Sequence, residues 1–357
     1  MSNRQAAAKH HWLIAMAVTL TLTAFTTSEA QLKTPTEVRP TLRFIKTNGI
    51  KLRIAEVGKG PLVILVHGWP ESWYSWRHQL PALAAAGYRA VAPDMRGYGK
   101  SDKPQAVEDY DIQHLTADLA GIVDALGEKE AILIGHDWGA IVSWQAMLFY
   151  PQRFKALVAM SVPYSGRPSQ SLIQSLRQSR GDNFYYILYF QEPGVAEKEF
   201  DSDPRAILSR LYLSPDSPRE APAVTDPKRA AGGWIPRLGS PKGLPSWLTQ
   251  TDLDYYVAEF KQAGFRGGIN YYRNFHRNWE TTPQFADVKI TAPVLFLAGD
   301  KDVVIRGATV DALTASMKNA VPGLQSVKLI ANTGHWVQQE RPSETNEAIL
   351  QFLKGLK

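Results

Sequence analysis

No cysteine occurs anywhere in the 357 residues. That excludes a disulfide scaffold, a thiolate metal site, an iron–sulfur cluster and a cysteine nucleophile. No block of Lys and Arg of the kind that binds nucleic acid is present either. The 40 basic and 34 acidic residues leave a net charge of +6 spread along the chain, so nucleic acid is not an expected partner. The chain has no G-x-S-x-G segment, the elbow of serine esterases. Internal repeats and low-complexity tracts are also missing. What remains is an ordinary globular composition, 44% hydrophobic and 21% charged, with ample apolar material for a large core.

The first thirty residues read as an export signal. A basic start with Arg4 and Lys9 leads into the apolar stretch 12–25, then a small-residue site with Ser28 and Ala30. The stretch is short for a spanning helix. Cleavage after Ala30 is expected, which places the mature chain in the periplasm or outside the cell, with no stable membrane insertion. No twin arginine is present, so a general export route is expected.

Beyond it, strand and helix patterns alternate. Residues 42–57 read as two strands around Thr47-Asn48-Gly49. Buried strands are expected at 61–66, 88–92, 131–134 and 156–160, with helices over about 74–86, 113–126 and 138–149. The rhythm breaks at 163–282, which is aromatic-rich and, between Ser214 and Ser246, dense in Pro and Gly. Thr251 with Asp254 marks a helix start there. Strands resume at 294–298 and 326–330, and a last helix fits 344–354. The fold class is therefore α/β: a mostly parallel, doubly wound sheet with an inserted helical lid. Its divisions are a signal peptide at 1–30, core at 31–162 and 283–357, and the lid at 163–282.

Chemistry-bearing residues fall at strand ends. Gly135-His136-Asp137-Trp138-Gly139 lies between a buried strand and a helix. This is the small-x-nucleophile-x-small elbow, with Asp at the nucleophile position. A buried N-cap aspartate would look the same in isolation. Two later segments favour the nucleophile: Gly299-Asp300-Lys301-Asp302 and Gly334-His335-Trp336 each follow a strand. Nucleophile, acid, base is the triad order of α/β-hydrolases, with His335 as base. Spacing does not choose between Asp300 and Asp302 as the orienting acid. His67-Gly68-Trp69-Pro70 follows the strand ending at Val66 and suits a second oxyanion N–H from Trp69, beside that of Trp138.

A carboxylate attacking an ester would give an anhydride. Attack on an sp³ carbon with a leaving group gives an alkyl ester, which a His-activated water can cleave. The leaving group is then a halide or an epoxide oxygen, and the second is helped by an acid. Tyr suits that task, and the lid is rich in it, with candidates at 185, 186, 189, 212, 255, 256, 271 and 272.

From about residue 40 to 355 the chain resembles the α/β-hydrolase epoxide hydrolases, and is especially similar to the soluble epoxide hydrolase group. The segments are HGWP (67–70), PDMRGYG (93–99), GHDWG (135–139), FYYILYFQEPGVAE (184–197), GFRGGINYYRN (264–274), GDKD (299–302) and GHW (334–336). The resemblance implies hydrolysis of an epoxide to a vicinal diol through a covalent ester on Asp137. It implies His335 as base, Asp302 as its partner, and Tyr186 and Tyr272 as lid acids. Trp138, with His67 and Trp336, would line the substrate pocket. The Pro/Gly-rich stretch 214–246 matches no motif of the family. No metal or organic cofactor is expected; the partner is a small epoxide, and self-association into a homo-oligomer is left open. The alternatives are a haloalkane or haloacid dehalogenase with the same Asp nucleophile, and a non-enzymatic ligand-binding relative. Relatives in the first group favour Asn where Trp69 stands or Arg where Trp138 stands, and have no comparable task for paired lid tyrosines.

Overall fold

The computed structural model describes residues 39–356; the expected signal at 1–30 lies outside them. Eight strands form one sheet: β1 (Thr41–Thr47), β2 (Ile50–Val57), β3 (Leu62–Val66), β4 (Arg89–Pro93), β5 (Ala131–His136), β6 (Phe154–Met160), β7 (Val294–Gly299) and β8 (Leu324–Ile330). Their order is β1-β2-β4-β3-β5-β6-β7-β8. The β1–β2 and β2–β4 pairs are antiparallel, and every later pair is parallel. Asn48 and Gly49, both at positive φ, make the tight turn between β1 and β2.

The sheet is covered on both faces, which is why β3 is apolar at every position and β5 at all but its last, His136. On β3, Ile64 and Val66 enter one core, while Val63 and Leu65 enter the other. Helices α1 (Gln79–Ala85), α2 (Ile112–Ala125) and α3 (Trp138–Phe149) follow β3, β4 and β5. The segment expected as one helix from about 74 is a 3-10 turn over Trp73–Trp76 followed by α1. Ser72 caps that turn, and Pro81, which has no N–H for the carbonyl four residues back, keeps the two from forming one helix.

Between β6 and β7 the chain forms no strand. It builds α4 (Leu172–Arg180), α5 (Tyr186–Tyr189), α6 (Val195–Ser202), α7 (Pro204–Leu211), α8 (Gln250–Ala263), α9 (Arg266–Arg273) and α10 (Phe275–Glu280). Helix α8 starts two residues before the expected point. Thr249 and Asp252 close a capping box, worth about 1 kcal/mol, and Asp254 instead pairs with Arg205 at the surface, 2.5 Å away. After β7 come α11 (Val310–Met317), α12 (Val337–Glu340) and α13 (Pro342–Lys354).

Two features dock the helical insertion over the carboxyl edge of the sheet. Arg53 of β2 is buried between Asp94, at 2.5 Å, and Glu259 of α8. At the start of α9, a Cβ on Gly267 would lie 2.5 Å from the Gly97 Cα, and one on Gly268 would lie 2.7 Å from the Trp69 ring. Only glycine lets this helix approach so closely, and the approach brings Tyr272 over the strand ends. Among the described residues no helix is long and apolar enough to cross a membrane.

Candidate active site

Five loops leave the carboxyl ends of parallel strands and converge, the usual ligand position in such sheets. The loop after β5 is a sharp elbow. Asp137 sits at φ 52°, ψ −117°, a conformation costly for a side chain with a Cβ. It is sustained by the close approach of its flanks: a Cβ on Gly139 would meet the Val66 carbonyl at 1.8 Å. The Asp137 carboxylate does not fold back to cap the inner N–H groups of α3. Instead it accepts the Trp69 N–H at 2.8 Å and that of Trp138. The Trp69–Pro70 peptide is cis.

His335, after β8, places Nε2 3.7 Å from Asp137 Oδ2. Its Nδ1 faces Asp302 Oδ1 at 3.1 Å and Ser161 Oγ at 3.0 Å. Geometry separates the two acids that spacing left open: Asp300 accepts the Thr333 N–H and braces the loop. Asp302 also takes the Val304 N–H at 2.9 Å. Burial lifts the Asp302 carboxyl, but the charge and hydrogen bond of His335 outweigh it and hold it low. Burial likewise pulls His335 down, yet Asp302, Asp137 and Glu71 together carry it up to about 9. Burial raises Asp137 against the pull of His335, His136 and the two N–H groups. His335 therefore rests protonated at neutral pH, with Asp137 opposite its Nε2.

Behind this pair lies a buried polar cluster that sequence reasoning missed. Glu71 accepts the Gly68 N–H, His136 Nδ1, Gln338 Nε2 and Gln339 Nε2, all at 2.9–3.0 Å. His136 Nε2 reaches the His335 carbonyl at 2.8 Å. Leaving one partner of such a buried pair uncompensated costs about 3–5 kcal/mol. Nothing in a lone Glu two residues after a Trp signals full burial. Ser161, at φ 73°, was missed for the same reason.

The lid tyrosines sort by what their hydroxyls do. Tyr189 donates to Glu199, Tyr212 to the Pro70 carbonyl, Tyr256 to Gln339 and Tyr271 to the Arg96 carbonyl, while Tyr255 accepts from Trp73. Tyr185 lies under the Arg180 guanidinium. Tyr186 and Tyr272 line one cavity of about 290 Å³ with Asp137, His335, Trp69 and Trp336. Their rings meet edge to face at 5.9 Å. Burial, then the nearby Asp137 charge, pushes both phenols far above the usual tyrosine range, so both stay protonated.

Two pocket expectations need correction. His67 does not reach the cavity. It is buried, with Nδ1 on the Gly68 carbonyl and Nε2 accepting the Met95 N–H, so it braces the loop that presents Trp69. The Trp138 ring is also absent from the wall: it packs behind it, against Tyr271, Tyr272 and Phe275, and only its backbone N–H faces Asp137. Trp336 does line the cavity, its indole N–H fixed on the Leu211 carbonyl. Trp234, Leu238, Val303 and Val304 also line the cavity, with Arg210, Arg219 and Lys301 among its other walls, and carry no sequence signal. A second apolar cavity of about 310 Å³, between Ile141, Tyr164, Phe275 and Phe285, holds no carboxylate or imidazole. Among the described residues no three His, Asp or Glu side chains are grouped to hold a metal ion.

The sequence model of the alpha/beta hydrolase fold family matches residues 61–342. The chain is 47% identical over 321 residues to "Epoxide hydrolase A" of Mycobacterium tuberculosis, covering 89% of this chain and 98% of that one. It is 45% identical to "Epoxide hydrolase 3" of Siraitia grosvenorii, over 87% of this chain and 96% of that one. Among solved structures, epoxide hydrolase A from Mycobacterium thermoresistibile superposes with a TM-score of 0.80 at 47% identity, covering 88% and 98% of the two chains.

Proposed function

The chain belongs to the alpha/beta hydrolase fold family and is an epoxide hydrolase, and from that premise we propose which residues carry each step. The observation that carries the assignment is a carboxylate held by two N–H groups, sharing one cavity with two lid tyrosines.

The epoxide oxygen binds to the Tyr186 and Tyr272 hydroxyls. An Asp137 oxygen attacks one ring carbon as the C–O bond breaks, and a tyrosine proton passes to the departing oxygen. The product is an alkyl ester on Asp137. Ester formation deletes the Asp137 charge, one of the anions holding the proton on His335. His335 can then release that proton, which restores the tyrosine. As a neutral imidazole steered by Asp302, it takes a proton from water as the water adds to the ester carbonyl. The N–H groups of Trp69 and Trp138 already bracket Asp137, so they stabilise the tetrahedral oxyanion. Collapse expels the alkyl oxygen, which takes the proton of the added hydroxyl, so the vicinal diol leaves and Asp137 and His335 are again an ion pair.

A single turnover of styrene oxide in ¹⁸O-water, with enzyme in excess, tests this order. The first diol is expected to carry no ¹⁸O, with the label retained in the Asp137 peptide. Label appearing directly in that diol would mean water attacks the ring itself. Halide release from a haloalkane without any diol would point to dehalogenation.

The basic, apolar and small-residue pattern of residues 1–30 supports a further proposal, that the chain is exported and trimmed after Ala30. Full-length protein expressed in a Gram-negative host should appear outside the cytoplasm with Gln31 as its first residue by N-terminal sequencing. An untrimmed cytoplasmic pool would overturn it.

A further inference from the structure

The stretch between Ser214 and Ser246 matches no motif of the family, yet it delivers Trp234 into the catalytic cavity. The indole lies nearly parallel to the Tyr186 ring, at 4.8 Å and 15°, and nearly parallel to Trp69, at 5.8 Å and 11°. It also meets Phe190 edge-on at 5.6 Å. One residue thus touches the ring of a proposed acid and the ring beside the oxyanion N–H.

Its position is enforced from the lid. The Glu199 carboxylate on α6 accepts the N–H of Trp234 and of Ile235, each at 2.9 Å, and the Tyr189 hydroxyl at 2.8 Å. The carboxylate comes so close that a Cβ on Gly233 would stand 2.2 Å from Glu199 Oε1. A second tie joins the Val224 N–H to the Pro236 carbonyl. A chain rich in Pro and Gly is thereby fixed at Trp234 by bonds to a carboxylate, the strong kind.

We propose that Trp234 is the specificity-determining residue of this site, setting how bulky an epoxide substituent fits beside Tyr186, and that Glu199 is its positioning residue. This rests on the epoxide hydrolase reading above. The class admitted is the epoxide with a slender apolar substituent on the Trp234 side. Removing the indole opens that wall and leaves the Tyr186 ring without its stacked neighbour. Discrimination between substituents therefore falls, while the rate on small epoxides also falls.

The experiment measures kcat and KM for 1,2-epoxybutane, styrene oxide and trans-stilbene oxide in the full chain. In Trp234→Ala the kcat/KM ratio of trans-stilbene oxide to 1,2-epoxybutane should rise about 10-fold or more, in the range that pocket volume can command. Trp234→Phe should return most of that ratio. Glu199→Gln, with Trp234 intact but less firmly held, should move the ratio the same way by a smaller factor, chiefly through KM. Thermal melting of each variant separates loss of fold from loss of selectivity, and Trp234→Phe gives the test a conservative replacement if Trp234→Ala does not fold. A wild type that opens none of the three epoxides would defeat the reading of the site. A wild type that opens them, with ratios in folded Trp234 variants moving by less than about threefold, would defeat this inference alone.

Discussion

The His335→Gln protein is expected to consume one equivalent of epoxide and then stop. Ring opening needs the Asp137 carboxylate and a tyrosine proton, and both remain. Ester cleavage needs a base on the water, and glutamine cannot serve. Loss of general-base assistance costs about 10²–10⁴ in rate, so steady turnover should drop by at least that factor while the alkyl ester accumulates. Intact-mass spectrometry should show a species heavier by the mass of the epoxide, and peptide mapping should place it on Asp137. Turnover within tenfold of wild type, with no adduct, would remove His335 from the base role. The wild-type pH response follows from the same charges. His335 is held near 9 in the resting pair by Asp302 and Asp137, against its burial. Once Asp137 is esterified its contribution is gone, so the base of the second step titrates below that value. The hydrolysis rate should rise with pH up to that lower value and then level off. Alkylation, which uses the ionised Asp137, should not follow that rise. Stopped-flow tryptophan fluorescence resolves the two phases, since Trp69, Trp234 and Trp336 line the cavity.

Replacing both lid tyrosines should be nearly as damaging, but at the other step. Tyr186→Phe or Tyr272→Phe alone leaves one donor for the epoxide oxygen, and a fall of about 10- to 100-fold is expected, the scale of one lost hydrogen bond to a developing charge. The double variant removes general acid catalysis and should slow alkylation by about 10²–10⁴. Hydrolysis of an ester already formed should be little changed. Circular dichroism and melting should be close to wild type for Tyr186→Phe, and melting should fall slightly where Tyr272, which is hydrogen-bonded to the Trp138 side chain, is replaced. Single-turnover kinetics of all three variants tests this. A double variant within tenfold of wild type in the alkylation phase would show that the oxygen leaves without help from either phenol.

Much of this was legible in the sequence, and the reasons differ by residue. Asp137, Asp302 and His335 could be located because each follows an apolar run by one to five residues, and parallel strands bring such positions together. Glycines at 135 and 139 announced a tight elbow before any coordinate was known. Periodicity placed α2 and α3 within a residue or two. Side-chain direction was less accessible. His67 and Trp138 occupy the expected loops, yet one ring braces backbone and the other packs behind Tyr272, which only the packed core decides. The helix start at Thr249 was displaced to Thr251 because both fit a Thr-x-x-Asp pattern, and the choice depends on where the preceding loop ends. Trp234 was out of reach altogether: its place is set by Glu199, 35 residues away, and neither residue belongs to a pattern that names the other.

The neighbours β6 and β7 are separated in sequence by the whole helical insertion, from Met160 to Val294. The nucleophile precedes that gap and its base and orienting acid follow it. A pairing of such long range has a high closure entropy and forms slowly relative to local helices. The growing chain therefore carries its reactive carboxylate long before it carries the residues that use it. Catalysis begins only when the last strands zip onto the sheet, so the appearance of activity is itself a clock for the slowest contact in folding.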